Sequence, residues 1–138
     1  MKLDLTPEEE EALRPLLRGT AAQGVAELAS RWIRALEDIE EGYKLTIYDY
    51  QNDLDKRLIL ERAALEAKGK LQHKVRRFLE LTDARLKEAT FTAPNPVFPG
   101  AYRQHPEAWW YMRVPKKLIG ELKGDIEEEG ILANSSSI

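Results

Sequence analysis

The residues best suited to chemistry fall in a central helical stretch and in a later aromatic segment. Asp55 lies on the flank of a predicted apolar helix face, where a carboxylate must find a hydrogen-bond donor or stay at the rim. We expect that donor to be an arginine of a neighbouring helix, which would give Asp55 a structural role. His105 precedes Pro106 in a predicted loop, and loops often carry functional residues. With Arg103 and Arg113, these two residues form a candidate polar site.

The most specific feature of the sequence is the run Trp109-Trp110-Tyr111. In an extended backbone the two tryptophans point to opposite sides, and in a helix they diverge by about 100°. Both cannot easily bury in one small core, so one would cover the helices and the other would line a pocket or an interface, where tryptophan is enriched at hot spots. The alternative, which we prefer, is that both pack within the chain. The candidate binding surface comprises Tyr102, Trp109, Trp110, Tyr111, Leu118 and Leu122.

A possible metal site would use Asp49 and Asp53, which are four residues apart and share one helical face. However, Asp49 is spaced to cap a helix with Thr46, and Arg57 follows Asp53 in the favourable i, i+4 order. The sequence has no cysteine, no His-Glu-x-x-His and no Glu-x-x-His. We therefore predict that the protein holds no metal and no cofactor.

Motifs of other function classes are also missing from the sequence, which has no glycine-rich phosphate loop and no Gly-x-Ser-x-Gly. One predicted helix carries a basic face of Lys70, His73, Lys74 and Arg77. That face has no interleaved aromatic residues, and the net charge of the chain is −3. Nucleic acid is therefore not an expected partner. Such a stripe is common on solvated helices, and contact with an acidic protein surface is the alternative for this face.

Length and composition indicate one folded domain. The 138 residues are 43% hydrophobic and 33% charged, which is typical of globular proteins. No apolar run approaches the roughly 20 residues of a membrane span, and the first residues lack the apolar stretch of a signal peptide. We expect a cytoplasmic protein without membrane contact, with one helical domain over residues 1–133 and a polar tail over 134–138.

Helical periodicity predicts three main helices, over about residues 21–41, 47–67 and 70–89. Residues 43–50 could form a strand, a turn or a helix start, and we prefer a turn followed by a helix from about 47. Thr6 and Glu9 predict a capping box for a short first helix, and Thr20 is expected to cap the second helix. The predicted centre of the shared core is Trp32, Leu54, Leu58, Val75 and Phe78.

The character of the sequence changes after Thr90. Four prolines fall within residues 94–106, a density that predicts a long loop without regular structure. Over half of the aromatic residues lie between 91 and 111, so we expect this loop to wrap the helices. A last helix is predicted over about 116–129, with Lys116 and Lys117 at its start, against the helix dipole.

These patterns predict an all-α protein, an antiparallel bundle of about three main helices closed by short terminal helices and the loop. We expect a non-catalytic interaction module that binds another protein or itself, as an adaptor or a toxin-neutralising protein would. The alternative is an enzyme or a small-ligand-binding protein with a pocket under residues 94–114. A pocket enclosed by tryptophan and tyrosine with converging charged groups would favour the alternative. A flat apolar patch around Trp110 and the last helix would favour the interaction module.

Overall fold

The computed structural model describes residues 1–133, so the polar tail expected at 134–138 lies outside the described residues. The chain is mostly helical, as predicted, with one small antiparallel sheet in the described range. The helices are α1 (Pro7–Leu13), α2 (Val25–Glu41), α3 (Ile47–Glu66), α4 (Gly69–Ala89), α5 (Pro99–Gln104) and α6 (Gly120–Glu128). The strands are β1 (Thr90–Thr92) and β2 (Arg113–Pro115), and short 3-10 turns cover Arg14–Leu17 and Trp109–Met112.

Two helices begin at the capping boxes that the sequence predicts. At α1, the Glu9 amide donates to Thr6 Oγ1 across 3.1 Å, and the Thr6 amide donates to the Glu9 carboxylate across 2.9 Å. Thr46 and Asp49 form the same reciprocal pair at α3. Each box satisfies backbone N–H groups that a helix start leaves without partners. Residues 43–46 therefore lead into a helix that begins at Ile47, as preferred.

The start of α2 differs from the prediction. The helix begins at Val25 instead of residue 21, and Thr20 does not cap it. The Glu10 carboxylate of α1 accepts hydrogen bonds from the amides of Val25, across 2.8 Å, and Ala26, across 3.0 Å. Thr20 instead stabilises a turn, with its hydroxyl accepting from the Ala22 amide. A carboxylate at this end also suits the helix dipole, so Glu10 ties α1 to the start of α2.

The core lies where α2, α3 and α4 contact one another in pairs. Trp32, Leu54, Val75 and Phe78 are buried there, as predicted. The prediction for Leu58 was wrong, because this side chain is only partly buried and lines a cleft. The buried face of α3 comprises Tyr50, Leu54, Arg57, Leu60, Ala63 and Ala64. The antiparallel order of the long helices stays a prediction.

Arg57 explains why the buried face of α3 was misassigned. Its guanidinium is 3% exposed and binds both carboxylate oxygens of Asp83 on α4, each across 2.8 Å. A third hydrogen bond, across 3.0 Å, reaches Glu61. The predicted Asp53–Arg57 pair is absent among the described residues, since Asp53 instead pairs with Lys56 across 2.8 Å. A paired arginine can occupy a helix–helix contact that periodicity assigns to an apolar residue.

The proline-rich segment was wrongly predicted to lack regular structure. It contains α5 and a 3-10 turn, and it lies between two strands that pair with each other, Phe91 opposite Val114. The prolines fit these elements because Pro99 occupies the first turn of α5, where no N–H donor is needed. Pro115 stands at the end of β2. The segment therefore supplies fixed positions for side chains.

The last helix starts later than predicted. Residues 116–119 precede α6, and Leu118 forms an isolated parallel bridge with Tyr43. Lys116 and Lys117 thus lie outside the helix, which removes the clash with its dipole that the predicted start implied. Gly120 begins α6 with φ of +60°, and a Cβ there would lie 3.0 Å from the Lys44 carbonyl oxygen. This close approach requires glycine.

Candidate functional site

A cleft of about 790 Å³ opens between the 18–22 loop, α3 and α5. Its apolar floor includes Leu28, Leu58 and Ile59, and its polar lining includes Asp55 and His105. The volume is in the range typical of small-molecule sites. The cleft therefore contains half of the polar site predicted from the sequence.

Asp55 is the central acid of the cleft. Its Oδ1 accepts a hydrogen bond of 2.5 Å from the Tyr111 hydroxyl. Burial raises the pKa of the Asp55 carboxyl, and this effect outweighs the opposing effects of the Tyr111 hydrogen bond and of the positive charges of Lys56 and His105. The prediction of an arginine partner for Asp55 was wrong, since the donor is the Tyr111 hydroxyl. Asp55 is thus a desolvated carboxyl that no ion pair compensates among the described residues.

Tyr111 is held rigidly behind Asp55. Its side chain is buried and packs edge-on against Phe98, with ring centroids 6.1 Å apart. The Trp110 ring lies 5.9 Å away on another side. Burial raises the pKa of the Tyr111 hydroxyl far above its usual range, and the hydrogen bond to Asp55 adds to that increase. At neutral pH the hydroxyl is therefore a fixed donor.

Trp110 packs on the arginine of the ion pair in the core. The Arg57 guanidinium carbon lies 4.3 Å from the centre of the Trp110 ring. Because Asp83 holds Arg57 by two hydrogen bonds, the tryptophan packs on a fixed cation. Trp110 and Tyr111 are consecutive in a 3-10 turn. A continuous series of contacts thus links the Arg57–Asp83 pair, through Trp110 and Tyr111, to Asp55.

His105 closes the same end of the cleft. It follows α5, and its backbone amide donates to the Ala101 carbonyl across 2.9 Å. Its Nδ1 lies 3.9 Å from the exposed carboxylate of Glu107, and the imidazole is partly buried. Its positive charge, when present, lowers the pKa of Asp55. The structure thus brings His105 and Asp55 together.

The other two residues of the predicted polar site lie elsewhere. Arg103 is exposed and does not line the cleft. Arg113 belongs to β2 and donates to the hydroxyls of Thr90 and Thr92, each across 2.8 Å. It also donates to the Lys87 carbonyl across 2.9 Å. Arg113 therefore joins β2 to β1 and to the end of α4.

The basic lining of the cleft was missed in the sequence. Four cationic side chains lie along it, from Arg18, Arg31, Lys56 and Arg62. Helical spacing could have identified part of this lining. Leu58 and Arg62 follow Asp55 by three and seven residues, which places all three on one face of α3. Arg18 comes from a loop 37 positions before Asp55, and no local pattern connects them.

The candidate binding surface is only partly accessible. Trp110, Tyr111 and Leu122 are each no more than 2% exposed and pack inside the chain. Tyr102, Trp109 and Leu118 are partly buried. The Lys87 ammonium lies 4.7 Å from the Trp109 ring centre and covers part of it. Trp110 therefore has no surface to offer a partner in this conformation.

Asp49 and Asp53 both have other contacts. Asp49 caps α3, as predicted, and Asp53 accepts a hydrogen bond of 2.6 Å from the Tyr43 hydroxyl. Within residues 1–133, no three His, Asp or Glu side chains are grouped so that they could hold a metal ion. The expectation that these aspartates bind no metal stays a prediction.

None of the described helices is long and apolar enough to cross a membrane. Comparison with known proteins gives no family model, no curated protein and no solved structure that matches the chain.

Proposed function

We propose that this protein binds a small polar molecule in the cleft, with Asp55 as the residue that contacts it. One observation carries this proposal: a partly buried carboxyl faces a cleft of about 790 Å³, and its fixed partner is a neutral tyrosine hydroxyl. Small-ligand binding is the alternative to protein interaction that the sequence leaves open. The converging charged groups at a tyrosine-backed cleft support it over a flat apolar patch.

The energetics of Asp55 support a functional role. Burial of a carboxylate costs stability unless hydrogen bonds and opposite charges offset it, and at Asp55 the effect of burial on the pKa is larger than theirs. Arg57, two residues further along α3, shows how the same helix neutralises a charge that is needed for packing. A costly ionisable group in a cleft is typical of a binding or catalytic site.

Binding is proposed here without a reaction. The chain has no cysteine, and the ionisable groups that face the cleft end are Asp55 and His105, with Tyr111 held as a donor. Asp55 and Tyr111 together can accept and orient a polar group of a ligand. That arrangement supports recognition.

A variant with an obstructed cleft tests whether the cleft binds the ligand. Gly100 lines the cleft, and a Cβ added there would meet no atom within 4 Å. Gly100→Trp should therefore fold and obstruct the site. Gly124→Trp is the matched control, since Gly124 also has open space around its added Cβ and lies on α6, outside the cleft lining.

The two variants and the wild type should be screened against one mixed library of neutral, anionic and cationic fragments, by saturation-transfer NMR. The proposal expects fragments that bind the wild type and Gly124→Trp but not Gly100→Trp. Equal binding to all three proteins, or no binding fragment at all, would overturn it. Circular dichroism of both variants verifies that they are folded.

Protein interaction is the second candidate, and one surface favours it. Tyr48 is 78% exposed and Leu45 is 51% exposed at the start of α3. Ile119 is 38% exposed and lies beside Gly42, where an added Cβ would be 2.7 Å from the Ile119 Cδ1. A second copy of the chain is the partner to test. Light scattering should give a dimer mass that Tyr48→Ser abolishes, and a monomer mass at all concentrations would remove this candidate.

A further inference from the structure

We propose, on the basis of the proposed function, that the ligand of the cleft is an organic anion with an apolar body. It would present a carboxylate or phosphate to Arg62 and Arg18 and a hydrogen-bonding group to Asp55 and Tyr111. The cleft lining supplies residues for each of these features of the ligand.

The charge of the lining differs from the charge of the chain. The chain has 24 acidic and 21 basic residues, whereas the cleft is lined by four basic residues and one acidic residue. Two of the four cations are paired, Arg31 with Glu27 across 2.6 Å and Lys56 with Asp53 across 2.8 Å. Within residues 1–133, Arg18 and Arg62 form no ion pair. These two guanidinium groups are therefore available to an anion, and arginine suits carboxylate and phosphate geometry.

The line along α3 gives the length of the ligand. Asp55 and Arg62 are seven residues apart, so their backbone positions are separated by about 10 Å along the helix axis. Leu58 and Ile59 lie between them on the cleft floor, with Leu28 of α2 beside them. An apolar stretch between two polar ends matches a ligand with an aliphatic or aromatic middle.

The acid end selects a hydrogen-bonding group instead of a second anion. Asp55 would repel a negative charge, and its oxygens can accept a hydrogen bond from a ligand hydroxyl. Gln51 and Asn52 line the same end and offer amide groups. The ligand thus carries its charge at one end only.

The probe is 6-hydroxyhexanoate, a six-carbon chain with a carboxylate at one end and a hydroxyl at the other. Its neutral counterpart, 6-hydroxyhexanamide, keeps the length and the hydroxyl. Titrations followed by amide chemical shifts should show tighter binding of the acid. Arg62→Gln and Arg18→Gln should each weaken the binding of the acid by about three- to tenfold and leave the affinity for the amide unchanged. Arg34→Gln, an exposed change on α2 outside the cleft lining, is the control and should change neither compound.

Parallel titrations with 6-hydroxyhexyl phosphate distinguish a carboxylate from a phosphate headgroup. The compound that binds more tightly identifies the headgroup that the cleft prefers. Equal affinity for the acid and the amide, or failure of both to bind, overturns the inference about the ligand class. It leaves the proposed function intact if the fragment library still binds the wild type and not Gly100→Trp. The two failures are therefore distinguishable.

Discussion

The Tyr111 hydroxyl donates a hydrogen bond of 2.5 Å to Asp55, across 56 positions of sequence. The neighbouring Trp110 packs on Arg57, which donates hydrogen bonds to Asp83 of α4. The ion pair in the core and the hydrogen bond at the cleft are thus joined by direct contacts.

Replacing Asp55 by asparagine should stabilise the protein at neutral pH. The amide oxygen can still accept from Tyr111, and the desolvated negative charge is removed. Urea unfolding at pH 7 should give a free energy of unfolding equal to or above that of the wild type. Asp53→Asn is the control, since it removes the Lys56 ion pair and should give no gain. A marked loss of stability in Asp55→Asn would contradict the account of Asp55.

The pH dependence of the same variant has a defined sign. The folded pKa of Asp55 is raised above its ordinary value of 3.8, so the folded state binds the proton more tightly than the unfolded state. The stability of the wild type relative to Asp55→Asn should be greatest below about pH 4 and fall as pH rises through the raised pKa. Unfolding free energies measured from pH 3 to pH 8 test this. A relative stability that rises over that range would contradict it.

Arg57→Met should destabilise the protein by about 3–5 kcal/mol, because it leaves Asp83 without its buried partner. The double variant Arg57→Met, Asp83→Leu should recover much of that loss, since both charges are then removed. Urea denaturation of the two variants measures the difference. If the double variant is no more stable than the single one, the ion pair does not act as described.

Leu54→Ala and Leu58→Ala should differ, although both leucines were predicted to lie at the core centre. Leu54 is fully buried, and its truncation should cost about 2–5 kcal/mol. Leu58 is only partly buried on the cleft floor, so its truncation should cost less than half as much. Parallel urea titrations compare the two. Equal losses would show that the face of α3 is wrongly assigned.

Local signals in the sequence predicted the elements best. The Thr46–Asp49 box located the start of α3, and apolar periodicity found the core residues of α2 and α4. Contacts between distant residues were not predictable: Glu10 caps α2 from another helix, and Arg57 occupies a position where periodicity favours an apolar side chain. The cleft contains predictable and unpredictable residues. Asp55 was identified from its position in the sequence, whereas the roles of Arg18 and of the Tyr111 hydroxyl could be recognised only in the folded structure.

Glu10→Ala should cost about 0.5–2 kcal/mol, the range for loss of a helix cap. The control is Glu11→Ala, which removes only the exposed ion pair with Arg14 and should change stability by less. Thermal unfolding of both variants makes the comparison. A smaller loss of stability for Glu10→Ala than for Glu11→Ala would show that Glu10 does not act as a helix cap.

The most direct test of the cleft is the location of the amides that shift when a fragment binds. Uniformly ¹⁵N-labelled wild-type protein should be titrated with the best fragment from the library and its backbone amides followed. The account predicts that the largest shifts cluster at residues 18–22, 51–62 and 100–105, and that Asp55→Asn reduces them while Asp53→Asn does not. Shifts concentrated around Leu45, Tyr48 and Ile119, or unchanged in Asp55→Asn, would contradict it.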